Sequence, residues 1–104
     1  MSADELVALV LFVADDSPRS IVAAANIQRA LGTTPGFVLE IVDVFHEPDR
    51  ALAARVLVTP TLLAPAQNRR LVGDLSEPSQ LGFFLHGLHA PPISSGGGAP
   101  RSVA

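Results

Sequence analysis

Every position from Leu6 to Val13 is apolar, Leu-Val-Ala-Leu-Val-Leu-Phe-Val. Successive strand residues face opposite ways, so a run apolar on both parities predicts a strand covered on both sides. Asp15-Asp16-Ser17-Pro18 then predicts a helix start. Ser17 is placed to cap, Pro18 stands at the first helical position where its missing N–H costs nothing, and the two aspartates complement the dipole. Ile21, Ala24, Ala25, Gln28 and Leu31 recur at helical spacing up to Gly32, a C-terminal stop. After the turn Thr33-Thr34-Pro35-Gly36, Phe37 to Val44 predicts a second strand, interrupted only by Glu40 and Asp43. His46-Glu47-Pro48-Asp49 opens a second helix expected to run through Leu52, Ala53 and Val56, and Thr59-Pro60-Thr61 breaks it. Thr61 to Ala64 and Arg69 to Gly73 flank the turn-favouring Pro65-Ala66-Gln67-Asn68 and predict a hairpin. Asp74-Leu75-Ser76-Glu77-Pro78 introduces a last helix carrying Leu81, Phe84, Leu85 and Leu88. From Pro91 onward Pro, Gly, Ser and Ala dominate, which predicts a disordered tail over 91–104 and one folded domain over 1–90.

The order β-α-β-α-β-β-α is that of an α/β domain with helices layered on a small sheet. With right-handed crossovers this is the thioredoxin-like arrangement. Composition narrows its use. The chain has 104 residues, 48% hydrophobic and 16% charged, too apolar for a disordered protein. No apolar run approaches the roughly 20 residues that cross a bilayer, and the acidic start Met1-Ser2-Ala3-Asp4-Glu5 is unlike a secretory signal. The expectation is a cytoplasmic protein without membrane contact. Net charge is −3, and all seven basic residues are arginine with no basic run, which argues against nucleic-acid binding. With no cysteine, disulfide exchange, a thiol nucleophile and a cysteine metal site are all excluded.

Four segments in order carry a resemblance to the KaiB family of circadian-clock proteins: Phe12-Val13-Ala14-Asp15-Asp16-Ser17-Pro18; Ile41-Val42-Asp43-Val44 with Glu47-Pro48; Val56-Leu57-Val58-Thr59-Pro60-Thr61-Leu62; and Arg69-Arg70-Leu71-Val72-Gly73-Asp74-Leu75-Ser76. The resemblance implies a non-enzymatic interaction module, without catalytic residues or cofactor, that binds a KaiC-type ATPase in a timing or stress-response system. A KaiA-like protein or a sensor histidine kinase would be further partners. It also implies a cis Pro60 opposite the first helix N-terminus, and an alternative, fold-switched packing of the C-terminal half that assembles as a dimer or tetramer. Two packings coexist only when they differ by a few kcal/mol. Asp43, Pro60, Gly73, Asp74, Phe84 and His86 are the positions where the resemblance places structural or fold-switching roles. Departures from the family pattern are equally specific. Asp15 replaces a glycine, Val22 stands where arginine is common, Glu40 where lysine is common, and Phe84 and His86 where glycine and aspartate are common. The hairpin loop is about two residues shorter, and a short loop favours the local strand pairing of the thioredoxin-like form.

Arg50, Arg55, Arg69 and Arg70, on the second helix and the hairpin, are the candidate partner-binding residues, since arginine is enriched at interface hot spots. Catalytic constellations are not supported. Ser17 and Ser76 sit at cap positions without a nearby histidine, Asp15 and Asp16 are adjacent carboxylates at a helix start, and no glycine-rich phosphate loop precedes a helix. His86 and His89, at i, i+3 spacing, are two ligands without a fixed second shell, so no metal site is expected. Two alternatives stay open: a thioredoxin-like sensor or input domain related to KaiC-binding kinases, and a thiol-independent chaperone or enzyme of a redox family.

Overall fold

The computed structural model describes residues 6–89; the expected tail, 91–104, lies outside them. Strand β1 (Val7–Val13) is followed by helix α1 (Pro18–Gly32), strand β2 (Phe37–Asp43), helix α2 (Pro48–Ala53), strands β3 (Thr61–Ala64) and β4 (Arg69–Val72), and helix α3 (Pro78–His89). The sheet order is β2-β1-β3-β4. β1 pairs with β2 in parallel, Val7 opposite Phe37 and Val13 opposite Asp43. β3 returns antiparallel, with Leu63 opposite Val10 and Thr61 opposite Phe12.

Strand pleating sorts the core into two layers. Leu9, Leu11 and Val13 of β1 with Leu62 and Ala64 of β3 pack against Ala23 and Ile27 of α1 and Leu81, Phe84, Leu85 and Leu88 of α3. The alternate residues, Val10, Phe12, Val42 and Leu63, meet Ala51 of α2, with Val44, Ala54 and Val56 at the margin. The apolar-on-both-parities pattern of β1 thus has its cause: α1 and α3 cover one face, the short α2 the other.

Local chemistry sets the element ends. Ser17 caps α1 by accepting from the Ser20 N–H (3.4 Å) and donating to Ser20 Oγ (2.9 Å). The fully enclosed Ser20 hydroxyl also accepts from the Ala14 N–H (3.0 Å), so this buried polar group is satisfied. The serine pair does the capping, and the aspartates precede the helix. Asp15 adopts φ +53, a left-handed conformation that aspartate tolerates better than most residues and that suits a position held by glycine in the family.

Helix α2 is shorter than its apolar pattern suggested, ending at Ala53 instead of reaching Val56. Arg55 turns into the left-handed region (φ +58), which stops the helix and directs Val56 onto the second core layer. In the hairpin, Pro65–Gln67 makes one 3-10 turn and Asn68, at φ +54, closes it. The Thr59–Pro60 peptide is cis. Gly73, at φ +121, donates its N–H to the Pro60 carbonyl (2.9 Å), tying the end of β4 to the start of β3. Helix α3 spans the positions expected of the thioredoxin-like packing.

Candidate partner-binding surface

Adjacent strand residues face opposite ways, so β4 sends its two arginines to opposite sides of the sheet. Arg70, opposite Leu63 in the ladder, reaches the α2 side. Its guanidinium donates to the Ala54 carbonyl (2.7 Å) and the Arg55 carbonyl (3.1 Å). These are orphan carbonyls beyond the C-terminus of α2, where a cation also complements the dipole. Arg69 turns to the α3 side. Its guanidinium lies 5.8 Å from the centre of the Phe84 ring, and a Cβ built at Gly87 would stand 2.8 Å from its Nη1. The absence of a side chain at Gly87 gives Arg69 room against α3, and the aromatic face attracts its charge.

Arg50, on α2, is joined to β2. It donates from Nη2 to Glu40 Oε1 (2.8 Å) and from Nη1 to Glu40 Oε2, with Glu47 at 3.5 Å. The Arg50 hydrogen bond holds the Glu40 carboxyl below its ordinary pKa, and the same pairing raises that of Arg50. The substitution read at Glu40 thus has a local consequence, a two-pronged pair with α2. Arg55 differs from the other three. It is exposed, and among the described residues its side chain has no ion pair or hydrogen bond. Arg50, Arg55 and Arg70 therefore surround α2, and Arg69 belongs to the opposite face.

Four of the remaining family positions, Asp43, Pro60, Gly73 and Asp74, lie at the end of the sheet where β1, β2 and β4 finish. Asp43 closes β2 half-buried, its Oδ1 accepting from the Phe45 N–H (2.8 Å) and its Oδ2 lying 3.7 Å from His46 Nδ1. It both ends the strand and is hydrogen-bonded in place. Asp74 accepts from the Ser76 N–H (3.1 Å) through its carboxylate, and its main-chain carbonyl accepts from Asn26 Nδ2 of α1 (2.9 Å). Hydrogen bonds from Ser76, side chain first and then backbone, hold its carboxyl below the ordinary range, aided by the Arg19 charge. Phe84 is core and His86 is exposed. The side chain of His89 lies outside what is described. Among the described residues no group of three or more His, Cys, Asp or Glu side chains is placed to hold a metal ion, and none of their helices is long and apolar enough to cross a membrane.

The sequence reading missed the exposed apolar positions between α2 and β3. Leu57 is 92% exposed and Val58 is also open to solvent, as are Leu52 on α2 and Val72 on β4. Nothing in Val56-Leu57-Val58 distinguishes this run from core. Only the left-handed turn at Arg55 shows which of the three goes inward.

A family model described as the KaiB domain matches residues 10–86. The chain belongs to the KaiB family. It is 38% identical over 74 residues to circadian clock protein KaiB3 of a Synechocystis strain, covering 67% of this chain and 72% of that protein. It is 35% identical over 81 residues to the circadian clock oscillator protein KaiB of Synechococcus sp. strain RCC307, covering 74% of each. These KaiB relatives bear the names of clock proteins, not of enzymes. Among solved structures, the N-terminal domain of Synechococcus elongatus SasA superposes with TM-score 0.58 at 25% identity, covering 88% of this chain and 93% of that one. A Halobacterium salinarum thioredoxin variant superposes with TM-score 0.70 at 22% identity, covering 86% and 80%. The fold of this KaiB-family chain is thioredoxin-like. The loop that carries paired cysteines in redox-active proteins of this fold is Asp15-Asp16-Ser17-Pro18 here.

Proposed function

We propose that this chain is a cytoplasmic, non-enzymatic interaction module of a circadian or related timing system, and that it docks on a KaiC-type ATPase through the face built by α2 and β4. The observation that carries the reading is the KaiB domain match over residues 10–86, which runs from within β1 through most of α3. The arginines around α2 support the placement. Arg55 is open to a partner, and Arg50 and Arg70 fix the helix and turn that present it. Arg70 therefore contributes chiefly by positioning, and Arg69 lends its charge from the other side of the sheet.

Calorimetric titration of the full chain into the KaiC-type ATPase of the same organism tests this. Saturable binding is expected, and Arg55→Glu weakens it at least about tenfold with an unchanged melting temperature. No binding by the wild-type chain, or full affinity in Arg55→Glu, contradicts the reading. Arg55 is the cleaner probe, because reversing Arg70 would also uncap α2.

A second reading, a sensor-type input domain, is favoured by the superposition on the SasA N-terminal domain. Under it the chain would compete with such a kinase domain for one partner. Further KaiA-like or kinase partners and self-assembly as a dimer or tetramer belong to the same proposal. They rest on the family alone.

A further inference from the structure

The segment between α2 and β3 is held rigidly while its apolar side chains stay in solvent. The Arg55 N–H donates to the Leu52 carbonyl (3.0 Å) and the Val56 N–H to the Ala51 carbonyl (3.0 Å). Arg70 clamps the Ala54 and Arg55 carbonyls from the neighbouring strand. At the far end, Thr61 Oγ1 donates to the Val58 carbonyl (2.7 Å), and Pro60 is fully buried. Between these anchors Leu57 stands 92% exposed, with Val58 next to it in the chain, and Leu52 is exposed near the end of α2. Thr61 pairs with Val72, whose exposed side chain shares a sheet face with Arg70. Scattered surface leucines are ordinary, but here four exposed apolar side chains come from one braced segment, the helix that leads into it and the strand paired with β3.

We propose that Leu57, flanked by Val58, Leu52 and Val72, is the apolar anchor of the partner interface, and that it enters an apolar socket on a protein partner bordered by a carboxylate that pairs with Arg55. This rests on the reading of α2 and β4 as the docking face and specifies the chemistry that face recognises. Charge complementarity selects the socket. Arg55 is the one of the four candidate arginines left without an intramolecular partner among the described residues, and it lies two positions from Leu57. A partner surface bearing lysine or arginine at its rim would face like charge. Bracing matters for affinity. A loop already fixed in its bound form loses little entropy on docking, so the burial of a leucine is expressed as binding.

The test compares wild type, Leu57→Ser, Arg55→Gln and Phe83→Ser in titrations against the KaiC-type ATPase, each at two salt concentrations. Phe83 is the control, a large apolar side chain 77% exposed on α3, across the sheet from α2. Leu57→Ser is expected to weaken binding about tenfold or more, with an unchanged melting temperature, since its side chain touches almost nothing in the free protein. Arg55→Gln is expected to weaken binding and to flatten its salt dependence. Phe83→Ser is expected to bind as wild type. If wild type binds and Leu57→Ser binds equally well, the anchor assignment is overturned and the docking reading stands. If wild type does not bind, both are overturned. A Leu57→Ser variant that changes only the oligomeric state would show that a second copy covers the patch, and would also overturn the assignment.

Discussion

At the scale of single residues, three side chains fix the ends of elements, and each makes a measurable claim. Ser20 serves two neighbours at the entry to α1. Ser20→Ala leaves the Ala14 N–H without its acceptor in a largely enclosed place, and is expected to lower unfolding free energy by about 1–3 kcal/mol in urea titration. Arg70 closes the carbonyl end of α2. Arg70→Ala is expected to cost about 1 kcal/mol and to speed amide exchange over residues 48–56. Asp74 carries a carboxyl whose pKa is lowered by the Ser76 hydrogen bonds and the Arg19 charge. A depressed folded pKa stabilises above the unfolded value, near about 3.9, and that contribution fades as pH falls through the folded pKa. Asp74→Asn should therefore narrow the stability difference between pH 7 and pH 3 in paired melts. These roles were partly legible. Ser17 beside Pro18 announces a cap, whereas the second serine that completes it is visible only once the turn is built. The opposite facing of Arg69 and Arg70 follows from the strand period, yet which face meets α2 depends on register.

Elements that owe their form to periodicity were readable, and those that owe it to a single backbone turn were not. β1, β2, α1 and α3 stand where repeated apolar positions put them, to within a residue or two. Helix α2 ends early because Arg55 takes a left-handed conformation, and no composition signal marks an arginine for that. The same distinction separates the two interior glycines of α3. A Cβ at Gly82 meets nothing within 4 Å, so Gly82→Ala is expected to raise stability by about 0.5–1 kcal/mol through helix propensity. A Cβ at Gly87 meets Arg69 Nη1 at 2.8 Å and would displace the guanidinium from its place against α3. Gly87→Ala should consequently gain less than Gly82→Ala, or lose, in thermal melts run side by side. The Arg69–Phe84 contact joins β4 to α3. Opposite outcomes for the two glycines would thus measure how firmly that contact holds the thioredoxin-like packing.

The whole molecule is a small α/β layer structure whose two sheet faces are unequally covered. α1 and α3 enclose one face, and the six-residue α2 covers part of the other, leaving exposed apolar side chains and an uncommitted arginine at its edge. Without cysteines in the loop before α1, the thioredoxin-like frame supplies shape and no thiol chemistry. An insulin-reduction assay with dithiol donors is accordingly expected to show no turnover above background. The central claim is that a KaiC-type ATPase covers the α2–β4 face, and hydrogen–deuterium exchange of the complex tests it most directly. Added protection over residues 48–58 and 69–72, with α3 unchanged, is the predicted result. Protection confined to α3, or none at a concentration of ATPase that saturates other KaiB-family proteins, would contradict it.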